Sequence, residues 1–231
     1  MSRGNKTVPL ARALSKLGIL SRVQAADAIR AGRVRVDGRI VCDPAQLVVP
    51  ERARIAIDGE RRARAAWRTI VFHKPRGVVT TRDDPEGRET IYDVLGLDAR
   101  GLNAVGRLDL ASSGLLLLTT DTQLANWVTD PANAVPRVYV VTVRGELTAD
   151  QAAALPAQRV DVQKASTRES HLTVELRQGR NREIRRMFEA IGHEVTRLKR
   201  VSFGGLELND LEPGQWREVS REEVRAAFAT P

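Results

Sequence analysis

Apolar residues recur at helical spacing early in the chain, at Leu10, Ala13, Leu14 and Leu17, and the run stops at Gly18. Ser21 is placed to cap a second helix that carries Val23, Ala26, Ala28 and Ile29 and ends at Gly32. The period then switches to two. Over residues 33–41 alternation sets Val34 and Val36 on one face and Arg33 and Arg35 on the other, and Asp37-Gly38 signals a two-residue hairpin. The stretch 58–66 is charged and almost free of large apolar residues, and it reads as a linker before a second domain that begins near Trp67.

Beyond it the pattern predicts a strand over residues 69–73, ended by Pro75 and Gly77, then a polar loop over 83–88 and a short helix over 90–97. A strand over 103–108 leads to a turn at Asp109, and another follows over 115–120. Asp121 caps a helix with Leu124, Ala125 and Val128 on one face. Residues 137–144 are rich in β-formers and closed by Gly145, with further strands expected at 160–163, 172–177 and 195–203. Between the last two lies a basic helix whose stripe is Ile184, Met187, Phe188 and Ile191, ending at Gly192. Regular βαβ alternation is absent. The pattern therefore predicts an α+β fold with a mixed, largely antiparallel sheet flanked by helices.

Composition narrows the class. A single cysteine, Cys42, excludes a disulfide framework, a paired-cysteine zinc site and a redox pair. No signal-peptide pattern opens the chain, and no run approaches the roughly 20 apolar residues that span a bilayer, so the expectation is a cytoplasmic protein without a membrane partner. The net charge of +8 favours a polyanionic partner. It is uneven, with 11 Lys and Arg against 6 Asp and Glu up to Glu60, and 26 against 23 beyond. Arg22, Arg30, Arg33, Arg35 and Arg39 could share one surface, either a solvated face or an RNA-binding one.

The candidate chemistry centres on Gly106-Arg107-Leu108-Asp109, followed by Ser112-Ser113-Gly114 and the apolar run 115–118. Asp109 either starts an Asx-type turn or presents a reactive carboxylate on a rim. Arg185, at the edge of the apolar helical stripe, either snorkels outward or reaches inward to a buried acid. Arg180, Arg182 and Arg186 point away from that stripe or precede the helix, where they suit phosphates. His73, His171 and His193 are too scattered for a ligand set, and no glycine-rich phosphate loop is present.

Residues 8–58, with Ser21-Arg22, Ala31-Gly32-Arg33-Val34 and Val36-Asp37-Gly38, resemble the S4 RNA-binding domain. The later segments resemble the RsuA-like pseudouridine synthases, which carry an S4 domain ahead of the catalytic domain. The resemblance rests on His73-Lys74-Pro75-Arg76-Gly77, Asp84-Pro85-Glu86-Gly87-Arg88, Gly106-Arg107-Leu108-Asp109, Arg137-Val138-Tyr139-Val140-Val141 and residues 179–187, with Leu198-Lys199-Arg200-Val201 and Pro213-Gly214-Gln215-Trp216-Arg217 behind them. It implies an S4 domain over 1–60, a linker over 61–67 and a synthase domain over 68–231.

It further implies isomerisation of a ribosomal RNA uridine to its C-glycoside. Asp109 would be the essential carboxylate, acting either as a nucleophile or on the 2′ carbon. Arg185 would be its oriented partner, and Tyr139 the ring that stacks on the base and assists proton transfer at carbon 5. RNA contacts are expected from Arg107, Arg180, Arg182 and Arg186, and from Arg22, Arg33 and Arg35 of the S4 domain. No cofactor or metal is needed, and a monomer is expected. Arg137, Glu183 and Gln178 stand where many relatives carry Lys, Gln and Glu. Arg137 with Asn181-Arg182-Glu183 looks more like the branch acting on the large-subunit RNA than on the small. Three rivals remain at this point: a synthase acting on the small-subunit RNA, a catalytically silent RNA-binding or ribosome-assembly factor, and an RNA methyltransferase, for which the glycine-rich donor loop is missing.

Overall fold

The computed structural model describes residues 7–17, 19–20, 22–50, 52–61 and 66–228. The chain divides into two compact units, residues 1–67 with 101–103 and residues 68–100 with 104–231.

The first unit contains β1 (Val8–Pro9), α1 (Leu10–Lys16), α2 (Arg22–Arg30), β2 (Val34–Val36), β3 (Arg39–Ile40), β4 (Leu47–Val48), β5 (Ile55–Ile57) and β6 (Glu60–Arg61). Leu10, Ala13 and Leu14 of α1 pack with Ala28 and Ile29 of α2 and with Val34, Val36, Ile55 and Ile57 of the sheet. The stripe of α2 differs from the expected one, because Ala25 is buried while Val23 is 72% exposed. At about 100° per residue Val23 lies on the side of the helix opposite Ala25, so both cannot face one core. The expected cap at Ser21 and the stop at Gly18 lie outside the described residues.

Asp37 and Gly38 both take positive φ, 50° and 88°, as a tight hairpin between β2 and β3 requires. Asp58 and Gly59 do the same, at 53° and 83°, between β5 and β6. The segment read as linker thus starts as a hairpin. Strand β6 is exposed at both residues, so it buries no side chain and leaves no alternation to read. Residues 62–65 of that segment lie outside the described residues.

Along the chain there follow β7 (Thr69–Lys74), α3 (Ile91–Leu95), a 3-10 turn at Gly96–Ala99, β8 (Asn103–Ala104), β9 (Ser113–Thr119) and α4 (Thr122–Thr129). Then come β10 (Arg137–Arg144), α5 (Ala149–Ala153), β11 (Arg159–Ala165), β12 (Glu169–Leu176), α6 (Glu183–Glu189), β13 (Val195–Phe203), β14 (Leu206–Glu207), β15 (Trp216–Glu218) and α7 (Arg221–Phe228). The main sheet runs β11-β12-β10-β13-β9-β7-β15. Its neighbours are antiparallel except β13 and β9, which run parallel, so the sheet is mixed and largely antiparallel as expected.

Strand β7 is buried at every residue, and β9 at every residue after Ser113. Strand β12 alternates, and its buried Leu172, Val174 and Leu176 meet Phe188 and Met187 of α6 and Leu198 of β13. Each such apolar side chain contributes about 2 kcal/mol by leaving water. Helix α4 is capped by Asp121, whose carboxylate accepts from the backbone N–H of Gln123 and Leu124. Among the described residues no helix is long and apolar enough to cross a membrane.

One expected strand is mostly absent. Only β8 is extended within 103–108, and the chain from Val105 to Ser112 is irregular. Gly106 sits at φ 75°, which breaks the ladder, and the Leu108 carbonyl turns to the Thr80 hydroxyl, 2.8 Å away.

Candidate active site

The irregular segment is nevertheless tightly held, because five consecutive carbonyls each accept a hydrogen bond. The Leu108 oxygen accepts from Thr80 Oγ1 and the Leu110 oxygen from the Gly77 N–H at 2.8 Å. Lys74 Nζ donates to the Asp109 and Ser112 oxygens at 3.3 and 2.9 Å, and Arg185 Nη2 donates to the Ala111 oxygen at 3.2 Å. One buried cation, Lys74, and one half-buried cation, Arg185, therefore replace part of the ladder that a strand would have supplied. Neither reading of Asp109 as a turn residue or as a reactive group is displaced by the other: its carbonyl accepts from the Ser112 N–H at 2.9 Å, while its side chain stays half-buried. The carboxylate has no hydrogen bond or ion pair among the described residues, and its charge is felt by both Lys74 and Arg185.

Asp109 lines a cleft of about 760 Å³ within the second unit. Tyr139 of β10, half-buried, lines the same cleft, as do the exposed Arg107, Arg180 and Arg182. Arg186 is exposed and turned to Asn181 Oδ1 at 3.1 Å, outside that wall. Arg185 reaches inward but stands behind the wall, with Nη1 on the Val195 carbonyl at 2.8 Å. It touches the turn of Asp109 through the Ala111 carbonyl and forms no ion pair with the carboxylate itself among the described residues. Burial lowers the Arg185 guanidinium from its ordinary value, as does Arg182, while Asp109 raises it. Arg22, Arg33 and Arg35 belong to the first unit. All three are exposed, and Arg33 is engaged by Asp58 in a two-pronged pair at 2.8 and 2.5 Å.

Sequence reasoning assigned no role to three buried cations near the cleft. Lys74 is fully buried, Arg200 is 3% exposed, and Arg137 is 7% exposed. Arg137 donates to the carbonyls of Val135, Arg177 and Val128, and both Arg137 and Arg200 lie over the Phe203 ring at 4.9 and 4.8 Å. Burial lowers the Arg137 guanidinium. The available signal was periodic: Lys74 directly follows the wholly apolar run 70–72 with His73, and Arg200 falls on the inward side of an alternating strand.

Burial pushes the Lys74 ammonium down to about 8 from its ordinary 10.5, partly countered by Asp109. Below that value it is charged and clamps the turn. Between about 8 and 10.5 the folded chain binds fewer protons than the unfolded one, so this group adds stability as pH rises while the turn loses a donor. The rate of product formation at saturating protein should fall as pH rises through about 8. A profile that is flat from about pH 7 to about pH 9 would show that the carbonyl cage keeps the ammonium charged.

This fold is that of an RNA pseudouridylate synthase, and the chain belongs to that family: the family model described as RNA pseudouridylate synthase matches residues 68–190, and the S4 domain model matches residues 8–52. A protein named ribosomal large subunit pseudouridine synthase B from Pseudomonas aeruginosa is 39% identical over 93% of this chain and 60% of its own length. The protein of the same name from Bacillus subtilis is 32% identical over 94% of this chain and 93% of its own. The chain thus spans less than two thirds of the first relative and nearly all of the second. A crystal structure of a pseudouridylate synthase superposes with a TM-score of 0.65 at 28% identity, covering 94% of this chain and 98% of that one.

Proposed function

We propose that this chain isomerises a uridine of ribosomal RNA, in the large subunit, to pseudouridine, acting as a monomer. The observation that carries the reading is Asp109, a carboxylate without a partner among the described residues, held on a turn whose five carbonyls are all hydrogen-bonded and facing a cleft that also contains Tyr139. In the reaction the bond from C1′ to N1 breaks and a bond from C1′ to C5 forms. N1 gains a proton, and C5 loses one. Asp109 is assigned as the essential carboxylate, and Tyr139 as the ring on which the base stacks and whose hydroxyl assists the proton leaving C5. Arg185 acts from behind as the cation that orients the Asp109 turn. Arg107, Arg180 and Arg182 suit the phosphates of an RNA whose target nucleotide has left its stack. The names of the relatives favour the large-subunit RNA.

The test is pseudouridine mapping, by carbodiimide adduct and primer extension, on ribosomal RNA from cells lacking the gene. One stop that disappears and returns only with the wild-type gene supports the reading. A stop lost from small-subunit RNA would move the substrate, and an unchanged map would leave a binding-only role.

In the first unit, Arg35 of β2 is the cleaner probe of RNA docking. It is exposed and, among the described residues, bonds only the Gly38 carbonyl, at 3.2 Å, whereas Arg33→Glu would also set like charge against Asp58. Arg35→Glu should weaken RNA binding and reduce the slope of log affinity against log salt by about one contact. Unchanged affinity and slope would make this face a solvated one.

A further inference from the structure

Two buried polar atoms on the cleft wall have no hydrogen-bond partner among the described residues, Ser112 Oγ and Arg200 Nη2. Their residues are 2% and 3% exposed, and both line the cleft with Asp109. Leaving such groups unpaired is costly, and neither can swing away to find water. Arg200 is anchored by Nε on the Leu115 carbonyl at 2.7 Å and by its guanidinium over Phe203 at 4.8 Å. Ser112 is anchored by its N–H on the Asp109 carbonyl and by its own carbonyl on Lys74. Arg200 also stands directly opposite Tyr139 in the pairing of β10 with β13, so the two side chains share a face. A planar group stacked on Tyr139 would bring its edge to the free guanidinium nitrogen.

We propose that Arg200 and Ser112 receive the far edge of the target uracil, with Arg200 Nη2 donating to the oxygen at position 4 and Ser112 Oγ accepting from N3–H. The proposal rests on the synthase reading above and adds to it the residues that choose the base. Position 4 lies across the ring from the glycosidic nitrogen, the end that Asp109 must approach. A phosphate fits less well, because exposed arginines offer it solvated sites on the same wall, and among the described residues the deep site offers one unpartnered guanidinium nitrogen and a neutral hydroxyl. Cytosine carries an amino group at position 4 and no proton on N3. It would set donor against donor at Arg200, and a site built for hydrogen bonds rejects such a mismatch strongly.

The test uses the full chain and a ribosomal RNA fragment spanning the mapped uridine, labelled at that nucleotide, with uridine or 4-thiouridine in place. Conversion is followed in single turnover by thin-layer chromatography of the nucleotide, beside RNA affinity and melting temperature. Ser112→Ala and Arg200→Lys should each slow conversion about 10- to 100-fold, as expected for an unmade buried hydrogen bond, with RNA affinity within about threefold. Sulfur accepts hydrogen bonds weakly, so 4-thiouridine should slow the wild type by a similar factor and slow Arg200→Lys by much less. Wild-type rates in both variants would overturn the proposal, as would a thio effect equally large in Arg200→Lys. Should Arg200→Lys fail to fold, indifference of the wild type to 4-thiouridine would also overturn it. A wild type that converts no uridine would instead overturn the synthase reading itself.

Discussion

Asp109→Asn is expected to abolish pseudouridine formation while leaving RNA affinity within a few-fold and the melting temperature nearly unchanged. The substitution keeps the shape of the side chain and removes a carboxylate that lines the cleft without a partner among the described residues. Its effect on folding should be small because the turn is held through backbone oxygens, by Thr80, Gly77, Lys74 and Arg185, and not through the carboxylate. Binding should survive because the phosphate contacts that dominate RNA affinity are assigned to the exposed arginines and not to this carboxylate. The loss of charge leaves Lys74 and Arg185 without the neighbour that raises their pKa values, so the alkaline limb near pH 8 should move to lower pH in any residual activity. Carbodiimide mapping in cells that carry only the variant is the check. A restored stop would remove Asp109 from the chemistry.

Gly114→Ala is expected to cost roughly 3 kcal/mol or more of folding free energy, from strain at an unusual φ and from overpacking together. Gly114 is one of two residues at which β9 runs parallel against β13; it pairs with Arg200, and Ser113 pairs with Lys199. A Cβ there would sit 2.2 Å from the Arg200 carbonyl oxygen and 2.6 Å from its nitrogen, and its φ is 107°. Both near atoms belong to the backbone, so relief requires the two strands to part. For a chain of this size the loss should lower the melting temperature by about 10 °C. Activity should fall with it, since the same strand contact positions Ser112 and Arg200. A variant that melts within about two degrees of wild type would disprove the close pairing of these strands.

Much of the fold was legible because periodicity reports burial. Residues 137–144 and 195–203 were delimited as they stand in the structure, since each alternates or stays apolar between clear stops such as Gly145. The helix carrying Ile184, Met187 and Phe188 was legible for the same reason. Elements that bury little escaped. Strand β6 exposes both residues, and its Asp58-Gly59 turn was hidden in a charged stretch. The segment 103–108 misled in the opposite direction, because Val105 and Leu108 are buried without being in a strand.

The sequence by itself determined the two-part organisation, the alternation and helical stripes of the core, and the motifs that single out Asp109, Tyr139 and Arg185. These depend on residue type and local spacing, which a linear reading preserves. Only the tertiary structure decided how the Asp109 turn is held. Lys74, Thr80 and Arg185 come from segments far apart in the chain, and each is bound to a carbonyl that no sequence pattern marks. The same holds for Arg200 and Ser112, whose unpaired atoms become visible only once β13 lies against β9 and burial removes water as their partner. Backbone acceptors carry no residue identity, so contacts made to them cannot be read from a sequence and must be seen in space.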